Sequence, residues 1–229
     1  MKTKKVFPSE LAYIIGLILL ALSAAFMEKS DFGVSMVVAP AYLLHLKISQ
    51  YWPFYSFGMS EYVLQAFLLI AMCLIFRKFK KGYLFSFVTA VIYGNILDFF
   101  MMLVALLPFS GMTFRVICYI FGVVVGPIGI SLLFHTYITP EAYELVVKEV
   151  AAKTGKDINK VKWCYDICSC LFAVILSFAF YGFGNFVGVK AGTIICALVN
   201  GWLIGFFSKI LEPRFNFEDK LPWRSFFEE

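Results

Sequence analysis

The chain has 229 residues, of which 61% are apolar, 19% aromatic and only 15% charged, and its mean hydropathy is +0.83. That excludes an ordinary soluble domain, whose water-facing surface needs many more polar groups. A formal charge of +5 does not point to nucleic acid, because the basic residues form short clusters between apolar stretches, not an independent polar face.

A hydrocarbon core about 30 Å thick needs roughly 20 apolar residues per helix, so the chain has room for about six spans and the lipid bilayer is its first partner. The start, MKTKK followed by LAYIIGLILLALSAAF, has the form of a signal peptide with cleavage near Ser23-Ala24-Ala25. The repeat described below makes it equivalent to an internal span, so it is expected to be retained. The first span covers residues 11–27. Residues 28–47, EKSDFGVSMVVAPAYLLHLK, are too apolar for a loop and too charged at their start to cross. A re-entrant helix over residues 33–46 is expected there, capped by Asp31 and interrupted by Pro40.

Spans two, three and four cover residues 57–76, 84–107 and 114–134. Residues 141–153 read as a short amphipathic helix whose Glu141, Glu144, Lys148 and Glu149 would keep it on the cytoplasmic surface. Asp157 is placed to cap a fifth helix that enters the membrane near Trp163 and leaves near Tyr181. The sixth covers residues 191–210. With the N-terminus cytoplasmic, sixteen of the twenty Lys and Arg fall on the inner side, which gives six spans with both termini in the cytoplasm.

Tyr13-Ile14-Ile15-Gly16 matches Tyr119-Ile120-Phe121-Gly122 at an offset of 106, and Gly82 matches Gly188 at the same offset. Ala41-Tyr42-Leu43-Leu44 resembles Ala142-Tyr143-Glu144-Leu145 at 101, Gln65 falls opposite Asp166 at 101, and Gly94 falls opposite Gly201 at 107. The series points to duplication. Three spans per copy, an odd number, require the second copy to be inverted. The expected architecture is an all-α membrane protein of six transmembrane helices in two inverted three-helix repeats. Residues 1–10 form a cytoplasmic N-terminus, 11–110 the first repeat, 111–211 the second and 212–229 a cytoplasmic tail.

The order of a span, Lys29-Ser30-Asp31-Phe32-Gly33-Val34-Ser35, an apolar hairpin, a span, a basic loop and Gly94-Asn95-Ile96-Leu97-Asp98-Phe99-Phe100 resembles the bacterial YczE/YitT-type integral membrane family. Lys153-Thr154-Gly155-Lys156, the run Lys160 to Asp166, and Gly192-Thr193-Ile194-Ile195-Cys196-Ala197-Leu198 carry the resemblance through the second half. Members often have Pro where this chain has Met36. The resemblance implies a protein of the bacterial cytoplasmic membrane and a transport role, and names no substrate.

Ionisable groups inside apolar spans are costly and tend to face a cavity or a partner. Gln65, Asn95, Asp98, Asp166 and Asn200 are candidates to surround one polar cavity between the halves, walled by Trp163, Tyr165 and Trp202, with Asp31 at the re-entrant helix. Hydrogen-bond glue between helices is the competing role for Gln65, Asn95 and Asn200, and Glu61 reads as a solvated interfacial charge. The six cysteines lie in apolar segments without ligand spacing, and G-x-S-x-G and H-E-x-x-H are missing. No enzyme activity, cofactor, metal or nucleic-acid partner is expected. The function read from this pattern is a transporter or permease for a small polar or cationic solute, working by alternating access. The alternatives are a substrate-binding membrane subunit of a larger importer, for which Ala21-x-x-x-Ala25 is the pointer, and a non-transporting scaffold or regulator. Small-residue faces on spans one and four suit packing within the chain or a homodimer equally.

Overall fold

The computed structural model describes residues 4–108, 111–222 and 224; Lys2, Phe109, Ser110 and most of the tail beyond Pro222 lie outside the described residues. In chain order the elements are β1 (Lys5–Pro8), α1 (Ser9–Ser30), α2 (Ala39–Ile48), α3 (Phe57–Phe76), α4 (Lys81–Ala105), α5 (Met112–Phe134), α6 (Ala142–Thr154), α7 (Ile158–Tyr181), α8 (Ala191–Leu211) and β2 (Phe215–Glu218). All but α2 and α6 among the helices are long and apolar enough to cross a membrane. At 1.5 Å per residue their 20 to 25 residues reach the length a bilayer requires. Their outer faces expose large apolar side chains, among them Ile14, Phe67, Leu84, Ile117, Leu171 and Trp202. Lipid is the solvent that makes such faces stable.

Helix ends follow local chemistry. The Ser56 hydroxyl accepts from the Met59 N–H to start α3, and the Asp157 carboxylate accepts from the Asn159 and Lys160 N–H groups to start α7. Gly155 ends α6 in the left-handed region at φ 66°.

At the centre α1 and α5 run antiparallel in close contact. A Cβ on Gly16 would lie 3.0 Å from the Gly129 carbonyl oxygen, and one on Gly122 would lie 3.0 Å from that of Ser23. The small-residue faces of the first and fourth spans therefore meet each other within the chain. Around this pair α3 packs on α4 as α7 packs on α8, and α1 on α4 as α5 on α8. Likewise α2 contacts α3 and α7, while α6 contacts α7 and α3. These contacts are unchanged when α1–α4 are exchanged for α5–α8; the contact of α6 with α4 is the exception, without an equivalent between α2 and α8.

Individual contacts obey the same exchange. Gly16 against Gly129 becomes Gly122 against Ser23. Gly94 against Gly58 becomes Gly201 against Asn159. The Thr193 hydroxyl donates to the Val34 carbonyl at 2.8 Å, and the Ser86 hydroxyl donates to that of Pro140 at 2.7 Å.

Two expectations for the short helices are corrected. Helix α2 begins at Ala39, after an irregular segment, and Asp31 does not cap it: Asp31 ends α1 at φ 56°. Pro40 falls in the first turn, where its missing N–H costs no bond, so it frees no carbonyls. Helix α6 is not a surface helix. Its start is buried against α3, α4 and α7, with Glu141, Tyr143 and Glu144 each at most 3% exposed. The Lys148 ammonium fixes it from the other side by donating to the Leu133 and Thr136 carbonyls at the end of α5.

Strands β1 and β2 pair in parallel, Lys5 with Phe215 through Pro8 with Glu218. This clip holds the start of α1 beside the end of α8, and Glu10 accepts from the Lys220 and Leu221 N–H groups next to it. The sequence predicts only a cytoplasmic tail over residues 212–229, because two four-residue strands carry too little pattern to be recognised singly.

Candidate functional site

The segment leading into α6 is pinned to α4 by the Ser86 hydroxyl on the Pro140 carbonyl and the Thr89 hydroxyl on that of Thr139. The first turn of α6 thereby meets α3. The Gln65 carbonyl accepts from the Ala142 N–H at 2.9 Å, satisfying one of the free donors at the helix start. The Gln65 amide nitrogen donates to Glu141 Oε2 at 3.0 Å and, more weakly, to Glu61 Oε2 at 3.4 Å. The Tyr143 hydroxyl donates to Glu61 Oε2 at 2.9 Å.

One turn further on, Lys162 of α7 donates to Glu144 Oε1 at 2.9 Å and lies 3.1 Å from Asp166 Oδ1. Asp166 Oδ2 accepts from the Asn200 amide of α8 at 2.7 Å. Every one of these side chains is buried, Lys162, Glu61 and Asp166 completely so.

The electrostatics of the cluster are unbalanced. Glu61, Glu141, Glu144 and Asp166 are four carboxyl groups beside one ammonium, Lys162. An unpaired buried charge costs several kcal/mol after relaxation, so the excess must be met by protons or a cation. Burial, with Glu144 and Glu61 adding negative charge nearby, pushes the Glu141 carboxyl well above the usual carboxylate range. The positive end of α6 at Glu141 offsets this only in part. Glu61 Oε1 and Glu141 Oε1 are both buried without a hydrogen-bond partner. Among the described residues no group of three or more His, Cys, Asp or Glu side chains is placed to hold a metal ion.

A cavity of about 40 Å³ lies where the starts of α2 and α6 approach each other, lined by Ser35, Val37 and Val38 on one side and Glu141, Tyr143 and Glu144 on the other. Ser23, Tyr93 and Asn200 complete its polar wall. At roughly 10–15 Å³ per water-sized probe, this holds on the order of three waters and excludes a sizeable organic molecule.

Of the residues singled out from the sequence, Gln65, Asp166 and Asn200 belong to the cluster, and Tyr165 flanks it with its ring 5.4 Å from the Lys162 ammonium. The others lie elsewhere. Asp98 accepts from the Ser56 hydroxyl at 2.6 Å and the Gly58 N–H at 2.8 Å, so it caps the start of α3 and is fully used there. The Asn95 amide donates to the Val91 carbonyl of its own helix. Trp202, 69% exposed and stacked on Phe206, faces outward. Trp163 is also outward-facing and donates to the Leu198 carbonyl. Neither tryptophan walls the cavity. Asp31 pairs with Arg115 and Lys190 near the end of α1, apart from the cluster. Its carboxylate and the Glu28 side chain line a separate polar recess of about 230 Å³.

Glu61, Glu141, Tyr143, Glu144 and Lys162 are site residues that sequence reasoning did not assign. A signal for two of them was present: the offset of 101 that pairs Gln65 with Asp166 also pairs Glu61 with Lys162. Glu61 and Gln65 are four residues apart on one helix face, as are Lys162 and Asp166.

Six membrane-length apolar helices enclosing a buried ionisable cluster define a polytopic integral membrane protein. Residues 7–209 match the model of a family described as of unknown function, DUF6198, and the chain belongs to that family. The description assigns no activity and does not carry the YczE/YitT-type name that the order of motifs resembles. Neither the curated proteins nor the solved structures give a match.

Proposed function

We propose that this protein is a transporter for a small cationic solute, built as two inverted three-helix repeats that expose the cluster around Glu141 alternately to the two sides of the membrane. The observation that carries the reading is the meeting of two short helix starts, α2 and α6, at a small cavity whose largely apolar lining includes the Glu141 and Glu144 carboxyl groups and no cation. Inverted repeats with binding groups at discontinuous helices are the recurrent plan of secondary transporters. Antiparallel packing of α1 on α5 and the exchange of Gly16–Gly129 for Gly122–Ser23 support the inversion. A scaffold has no use for an enclosed, negatively biased cavity that costs stability, which favours transport over that alternative.

In the described conformation the cavity is closed and small, so movement of the α2 or α6 start must open it. In this reading the polar recess lined by Glu28 and Asp31, which shares no lining residue with the cavity, is joined to it only when the α2 start moves. Lys148 and Lys162 are buried in the bundle, and the remaining inner-side cations still outnumber the outer ones, which keeps the N-terminus and tail on the cytoplasmic side of a bacterial membrane. The β1–β2 pairing supports placing both on one side.

The test is a thermal-shift screen of purified protein against sodium, potassium, methylammonium and guanidinium chlorides with neutral polar metabolites as controls, followed by uptake of each stabilising compound into proteoliposomes. The reading expects a cation to stabilise the wild type and not Glu141→Gln. Stabilisation by neutral metabolites alone, or none at all, contradicts it.

A further inference from the structure

We propose that Glu61 and Glu141 form a shared proton-binding pair that bridges the two halves, and that an entering cation displaces its protons. This rests on the transport reading and names its coupling ion. Glu61 stands on α3 in the first half, and Glu141 stands at the start of α6 in the second. One Gln65 amide nitrogen donates to Oε2 of both, and Tyr143 donates a second bond to Glu61 Oε2. The opposite oxygens, Glu61 Oε1 and Glu141 Oε1, have no partner although both groups are wholly buried. Two carboxylates sharing a single neutral donor repel each other at a buried site of low dielectric, which drives at least one of them to take a proton. A proton on each free oxygen removes the charge and leaves the Gln65 and Tyr143 bonds intact.

The surroundings assign the protons to this pair and not to the other two carboxyl groups. From α7, Lys162 faces Glu144 and Asp166, which take the one ammonium between them. From α6, Tyr143 and Glu144 face the pair. Lys162 also acts on Glu141 from beyond ion-pair distance, and Tyr93 of α4, Tyr13 of α1 and Asp98, none of them cationic, are further titratable groups within electrostatic reach. The pair has no positive charge of its own.

Each carboxyl that ionises releases one proton to water and gains one negative charge, and each monovalent cation entering restores neutrality, so exchange is one for one. With both groups ionised and no cation present, repulsion acts across the α3–α6 contact and drives the α6 start from α3. That couples the state of the pair to opening.

The test is infrared spectroscopy of purified wild type, Glu61→Gln and Glu141→Gln between mildly acidic and alkaline pH. The protonated-carboxyl C=O band should be present at neutral pH, disappear on alkalinisation and weaken in each variant. Tyr143→Phe, which removes one hydrogen-bond donor to Glu61 and keeps its shape, should shift the band without abolishing it. Absence of the band at neutral pH, or a band indifferent to all three substitutions, overturns the proposal. A second arm adds sodium, potassium, methylammonium or guanidinium chloride at fixed pH in the presence of a pH indicator. Proton release by wild type that is reduced in each of the two Gln variants supports exchange. Retention of every proton, with the band intact, overturns cation displacement and the cation-transport reading while leaving the proton pair standing.

Discussion

Replacing Lys162 by Met removes the only cation among four buried carboxyl groups and keeps most of its volume. Glu144 Oε1 and Asp166 Oδ1 lose a partner at 2.9 and 3.1 Å, and both side chains are almost wholly inaccessible to solvent. Breaking a buried pair by deleting one partner costs about 3–5 kcal/mol, because the remaining charge stays buried. For a chain of this size each kcal/mol moves the melting temperature by roughly 2–4 °C, so a fall of roughly 6–20 °C is expected. Tryptophan fluorescence during heating in detergent reads it. The triple variant Lys162→Met, Glu144→Gln, Asp166→Asn removes the stranded charges and should recover most of the loss. A single variant that melts with the wild type, or a triple variant no better than the single one, would refute the claim that Lys162 holds these carboxylates in place.

Gly58→Ala should be far more damaging than Gly201→Ala, although the two contacts, Gly58–Gly94 and Asn159–Gly201, correspond between halves. A Cβ on Gly58 would come within 2.2 Å of the Gly94 carbonyl oxygen, whereas one on Gly201 meets Trp163 Cβ at 3.1 Å. Overpacking against backbone costs about 1–3 kcal/mol or more, and the two melting temperatures check the order. Asp98→Ala should cost roughly 0.5–2 kcal/mol as a lost helix cap and leave cation-induced stabilisation unchanged, as a thermal-shift titration would show.

Glu141 gives a pH dependence with a definite sign. Its carboxyl in the folded protein titrates well above its ordinary value of 4.5, so its contribution to stability is complete below that value and is lost as pH rises through the folded one. The melting temperature of the wild type should therefore fall on going from mildly acid to alkaline pH, with a flatter profile in Glu141→Gln.

The six spans were legible because hydropathy over about 20 residues is a strong signal in lipid; α3 runs over residues 57–76 as read, and Asp157 caps α7 as read. The centre was less legible for reasons that local sequence does not contain. Helix α6 carries Glu144, Lys148 and Glu149 in its first two turns with Glu141 at its N-cap, and by composition it belongs on a surface. Its burial depends on Gln65, 77 positions from the Ala142 N–H it receives, and on Lys162 beyond the next turn. Lys162 falls just before the point near Trp163 where the apolar stretch begins, while the helix itself starts at Ile158. Asp98 was read as a cavity group because it is an acid inside an apolar span. The start of α3, unseen in local sequence, is what satisfies it. Tertiary neighbours decide whether a charge in an apolar helix is a site or a cap.

The central claim is that cations cross through the Glu61–Glu141–Asp166 cluster. Uptake by proteoliposomes of a cation that stabilises the purified protein, driven by an imposed pH gradient, tests it most directly. The account predicts uptake in the wild type and in Asp98→Asn when each is reconstituted as folded protein, and a loss of about tenfold or more in Glu141→Gln and Asp166→Asn, equivalent to about 1.4 kcal/mol or more. Uptake that survives both cluster substitutions and is abolished by Asp98→Asn would contradict it.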